Sequence, residues 1–73
     1  MARSAEVIRR VEARRNRARI SRRELAARAG LAFSTLDRKL DGHREFTFAE
    51  LYAVAAALGT TPSAFIPQDP AQP

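Results

Sequence analysis

The chain reads as an all-α fold of five short helices around one small core. Apolar residues recur at three- and four-residue spacing, and the three glycines (Gly30, Gly42 and Gly59) each follow such a run. No stretch alternates apolar and polar residues in the way a half-buried strand does. Natural chains of about this length hide only roughly 60% of their unfolded surface, so one domain with one core is expected from 73 residues.

The first helix is expected over about residues 4–18, where glycine and proline are absent and Val7, Ile8 and Val11 share one side. Its other faces carry arginine, which places the helix at the surface. Ile20 precedes Ser21-Arg22-Arg23-Glu24, the pattern of a capping box. A second helix therefore spans about 21–29, with Leu25, Ala26 and Ala29 inward and Gly30 as a left-handed stop.

A third helix follows almost at once, at about 33–41, on the spacing of Leu36 and Leu40. Two helices so close in sequence must cross at a large angle. Phe46-Thr47-Phe48-Ala49-Glu50-Leu51 carries a second capping box, Thr47 with Glu50, and a hydrophobic staple of Phe46 on Leu51. The fourth helix runs from there to Leu58. Thr61-Pro62 opens a last short helix that reaches Ile66, and Pro67 ends it. The domain is thus 1–67, and the polar, proline-containing tail 68–73 is expected to be disordered. The core is drawn from Val7, Val11, Ile20, Leu25, Leu36, Leu40, Phe46, Leu51, Val54, Leu58 and Phe65.

The formal net charge of +5 is unevenly spread. Residues 1–28 hold ten arginines against three glutamates, whereas residues 29–73 hold three basic and five acidic groups. A segregated positive field is the footprint of a contact with a polyanion, or else a solvated charged surface. With no cysteine there is no disulfide framework or thiolate metal site, and a reducing cytoplasm is the expected compartment. The opening MARSAEVIRR lacks the apolar run of a secretory signal, and no stretch approaches the roughly 18 apolar residues of a membrane span.

The stretch SRRELAARAGLAFSTLDRKLDG, residues 21–42, resembles the helix-turn-helix of the lambda-repressor/Cro-like (XRE) family of bacterial and phage regulators. The resemblance lies in an ordered set: Ser21, Glu24-Leu25-Ala26, Gly30, Leu31, Leu36 and Leu40, followed by FTFAELYAVAAALG at 46–59. It covers about residues 5–66 and implies a lambda-repressor-like DNA-binding domain. It also implies that the third helix is a recognition helix lying in the major groove while the second crosses the phosphates.

The wheel of the third helix independently turns Leu36 and Leu40 inward and Ser34, Thr35 and Arg38 outward, flanked by Lys39 and Asp41. Arg38 is the leading base-reading candidate, since a guanidinium donates two parallel bonds to guanine O6 and N7; its other reading is a pair with Asp37 or Asp41. Ser34 is open between a base or phosphate contact and bonding at the helix start. Phe33 stands where the family commonly has a polar residue, and either meets a thymine methyl or folds back beside Leu36 and Leu40. Ala32 stands where the family often has a capping Ser or Thr, which weakens that helix start by about 1 kcal/mol.

Phosphate candidates are Arg22 and Arg23 at the start of the second helix, Arg17 and Arg19 at the end of the first, Lys39, and Arg44 in the loop after the third. Arg14 is a further candidate by position. Cations at a positive helix end are unfavourable by about 0.3–1 kcal/mol, a conflict that an anion there would relieve. Arg15 falls where the family often has an ion-paired arginine, but the usual acidic position is Leu40 here.

His43 has no neighbours at metal-ligand spacing, and no nucleophile-base pair, phosphate loop or carboxylate pair is present, so neither metal, cofactor nor enzyme activity is expected. The function expected is a sequence-specific repressor or Cro-like regulator of double-stranded DNA. Two other classes remain open: an RNA or anionic-membrane module, the membrane disfavoured because residues 4–18 hold no aromatic anchor and RNA because most of the five aromatics have core assignments, and an antitoxin or adaptor that holds a protein partner. A single module covers only about 600–1,000 Å² of DNA, so a homodimer is expected, even if formed only on DNA. Phe65 and Ile66 either offer its seam or seal the monomer core.

Overall fold

Helix ends fall where the sequence places its stops and caps. A computed structural model describes the backbone of residues 2–67 and the side chains of residues 5–67. The elements are α1 (Ala2–Ala18), α2 (Arg22–Ala29), α3 (Phe33–Leu40) and α4 (Phe48–Ala57), followed by one 3-10 turn at Pro62–Ala64. There is no strand among the described residues. The tail 68–73, expected to be disordered, lies outside the described residues.

α1 ends without a glycine. Arg19 takes the left-handed conformation at φ 60°, which costs a side-chain-bearing residue about 1 kcal/mol. The turn is closed from both sides: the Ile20 amide donates to the Arg15 carbonyl at 3.4 Å, and the Arg15 guanidinium donates to the Ile20 carbonyl at 2.7 Å.

At α2 the Ser21 hydroxyl accepts from the Glu24 amide at 3.0 Å. The other half of the expected box is not made, because the Glu24 carboxylate takes Arg28 at 2.6 Å instead. A cation one turn along the helix is the stronger partner for an exposed carboxylate than a neutral amide. Gly30, at φ 72°, turns its N–H back to the Ala26 and Ala27 carbonyls, and the Leu31 amide bonds Ala26 at 2.9 Å. That closure sets α3 at once against α2. Ala32 caps α3 with no side-chain bond, as the missing oxygen predicts.

The second box is complete. The Thr47 amide donates to the Glu50 carboxylate at 2.8 Å and the Glu50 amide to the Thr47 hydroxyl at 3.1 Å. The fifth helix shrinks to its single 3-10 turn, since Pro62 opens it and Pro67 leaves too few residues for a further turn.

α2 lies at the centre, packed on α3 and α4, while α1 rests on α3 and the 3-10 turn closes over α4. The buried core holds Val11, Ile20, Leu25, Leu36, Leu40, Leu51, Val54 and Phe65, together with Ala26 and Ala55. Val7, Phe46 and Leu58 pack half-buried against it. Phe65 is 1% exposed and therefore seals the monomer. The rear of α3 is thus fixed by neighbours, and its outer face is left for other work.

Candidate nucleic-acid interface

On α3 the leucines and the polar residues separate as the wheel requires. Leu36 and Leu40 are buried, Ser34 and Arg38 are exposed and Thr35 is half-buried. Thr35, Arg38, Lys39 and Arg44 line an open hollow of about 270 Å³. Neither Arg38 nor exposed Arg44 makes an ion pair among the described residues. The hollow therefore presents two guanidiniums, those of Arg38 and Arg44, whose charge no carboxylate among the described residues compensates.

Arg38 leaves Asp37 and Asp41 to another cation. The Arg22 guanidinium reaches across from α2 and binds Asp37 at 2.7 Å, Asp41 at 2.9 Å and Glu12 at 3.0 Å. Bonds to Asp41, then Asp37, then Glu12 raise its pKa further above the ordinary arginine value. The conflict between a cation and the positive end of α2 is thus relieved by carboxylates of α1 and α3, from inside the chain. Arg22 joins three helices rather than standing open to solvent.

Lys39 departs further from the expected phosphate position. It is 8% exposed, and its ammonium donates to the Glu45 carbonyl at 2.9 Å and lies 2.6 Å from the Glu50 carboxylate. Three residues beyond Leu36, it falls on the inner half of α3, where its methylene stem packs and its charged head must find acceptors.

Phe33 takes the packing position. The ring is half-buried against the core, and the Arg23 guanidinium lies over it at 4.2 Å from the centroid. Arg17 and Arg19 are exposed at the end of α1 and do not line the α3 hollow. Arg14 is half-buried.

Arg15 is a structural residue, with Nε bonded to Glu12 at 2.7 Å besides its bond to the Ile20 carbonyl. Its acid comes from its own helix and replaces the one absent at Leu40. Glu12, which links Arg15 to Arg22, escaped the sequence reading; its three-residue offset from Arg15 was the available signal. Burial alone would push the Glu12 carboxyl up, but Arg15 and Arg22 outweigh it and hold the group below its ordinary value.

A helix-turn-helix family model matches residues 11–65, from Val11 in α1 through Phe65 after the 3-10 turn. The chain belongs to the XRE family of helix-turn-helix proteins. Helix-turn-helix domains of this family bind DNA and act in the regulation of transcription, and this is a DNA-binding protein of that regulator class. No match was found among curated proteins or among solved structures. No helix of the described residues is long and apolar enough to cross a membrane. The helix-turn-helix itself is α2, the Gly30 turn and α3, with α4 and the 3-10 turn as its support.

Proposed function

We propose that this helix-turn-helix protein is a sequence-specific transcriptional regulator of the phage or bacterial repressor/Cro type, acting in the cytoplasm, with α3 in the major groove of double-stranded DNA. The observation that carries the reading is the outer face of α3: among the described residues Arg38 and Arg44 make no ion pair around an open hollow, while Asp37 and the C-cap Asp41 are both engaged by Arg22. A helix entering a polyanion's groove needs that division, because free carboxylates there repel phosphates and free guanidiniums read guanine.

Ser34, Thr35 and Arg38 meet base edges, with Phe33 beside them. Arg17, Arg19 and Arg44 are the cations open to phosphate contact. Arg22 and Lys39, engaged inside the fold, hold α3 in place instead. Two copies bind a pseudo-palindromic operator. Phe65 is unavailable for their seam, which we assign to the outer side of α4. There Phe48 and Tyr52 are 67% and 60% exposed, and their rings pair edge to face at 6.1 Å. The charged residue of α4, Glu50, is engaged by Lys39 and Thr47, so copies of a chain carrying +5 meet there without like charges.

Selection from random duplexes at two salt concentrations tests the reading. Enrichment of one inverted-repeat motif, with affinity falling steeply as salt rises, is expected. Equal binding to all duplexes at moderate salt would overturn it.

A further inference from the structure

Arg23 and Phe33 come from different helices and are ten positions apart, yet the guanidinium lies 4.2 Å above the ring centroid. The ring is half-buried against the core, so its place at the first position of α3 is fixed. Arg23 is exposed and has no ion pair among the described residues, since Glu24 takes Arg28 and the acids of α3 take Arg22. A stacked guanidinium uses its flat face against the ring and keeps its in-plane N–H donors free.

We propose that Arg23 and Phe33 act as one reading element, in which the ring orients the guanidinium and Arg23 makes a bidentate contact to a guanine at the outer edge of the site. The inference rests on the reading of α3 as the groove helix, whose amino-terminal residues face base edges. Phosphates run along the whole backbone and are met by mobile cations at many positions. A base edge presents its O6 and N7 at one place only, and meeting it favours a fork already held still. The ring provides that restraint, and its flank remains for the methyl group of a neighbouring thymine.

The experiment measures binding of the full chain to its selected duplex and to duplexes changed at each base pair in turn. Arg23→Ala, Arg23→Lys, Phe33→Leu and the Arg23→Ala/Phe33→Leu double variant are compared with the wild type. Each single variant is expected to lose on the order of tenfold discrimination at the same base pair, the double variant no more than either single one, and other positions stay unchanged. Phe33→Tyr keeps the ring and the preference. Arg23→Lys keeps the charge without touching the core, so its loss of preference separates the fork from the charge and from folding. Uniform weakening on every duplex with a shallower salt dependence would make Arg23 a phosphate ligand and overturn the proposal, as would additive losses at different base pairs. A wild-type chain that selects no sequence removes the groove reading itself, whereas a selective wild type with unaltered Arg23 variants removes only this pairing.

Discussion

The Lys39 ammonium lies 2.6 Å from the Glu50 carboxylate, so the residue that caps α4 also anchors α3. Burial by itself would raise the Glu50 pKa, but Lys39 and the Thr47 amide hold the carboxyl below its ordinary value. The loop between the two helices, which carries Arg44, is therefore fixed at both ends by one ion pair and one box.

Glu50→Ala removes half of a cap and leaves a buried ammonium without its counter-ion, and a loss of about 3 kcal/mol is expected. Thr47→Ala removes the cap oxygen alone and should cost about 1 kcal/mol. Urea unfolding of both variants compares them. Equal costs would mean that the pair with Lys39 adds nothing.

Acid should unfold the protein through the same groups. Glu12 and Glu50 both titrate below the ordinary 4.5 in the folded chain, so the unfolded state binds protons first as pH falls. Their contribution is complete above about pH 4.5 and drains away as pH drops through the folded values. A Glu12→Gln/Glu50→Gln variant should be less stable at neutral pH and lose less between about pH 5 and pH 3. Urea midpoints across that range measure it, and parallel curves for the two proteins would contradict the assignment.

Arg22→Ala should lower stability by about 1–2 kcal/mol, a figure held down by the partial exposure of Asp37 and Asp41. It should also weaken binding to every duplex, because two carboxylates of the groove helix then face phosphates uncompensated. Adding Asp37→Asn and Asp41→Asn is expected to recover most of that affinity. If the triple variant binds as poorly as Arg22→Ala, Arg22 grips DNA directly.

Arg38→Ala should forfeit preference at one base pair by about tenfold while most non-specific affinity remains. Competition against mismatched duplexes reads this out. A loss of equal size on all sequences takes Arg38 out of base reading.

Features governed by a few consecutive residues were legible in the sequence. Thr47 with Glu50, the stop at Gly30, the bare start at Ala32 and the inward turn of Leu36 and Leu40 all follow from local geometry. Destinations of long charged side chains were not legible, since each depends on which distant groups the fold brings near. Glu24 had both the Ser21 amide and Arg28 within reach, and only relative strength separates them. Lys39 sat at the edge of the apolar arc, where a lysine stem is accepted once a carboxylate waits at its end, and Glu50 arrives from another helix. Arg22 with Asp37, and Arg23 with Phe33, meet across the Gly30 turn, where no spacing rule pairs them. The outward position of Arg38 was readable because it needs only the leucines behind it.

Asp37 of α3 and its C-cap Asp41 are both held by a side chain that belongs to α2. A transplant of residues 33–41 into a different scaffold would carry two negative charges toward its target and leave their antidote behind. Redesign of operator preference in this protein therefore has to treat the helix pair as the exchangeable cassette, because the recognition segment alone is electrically incomplete.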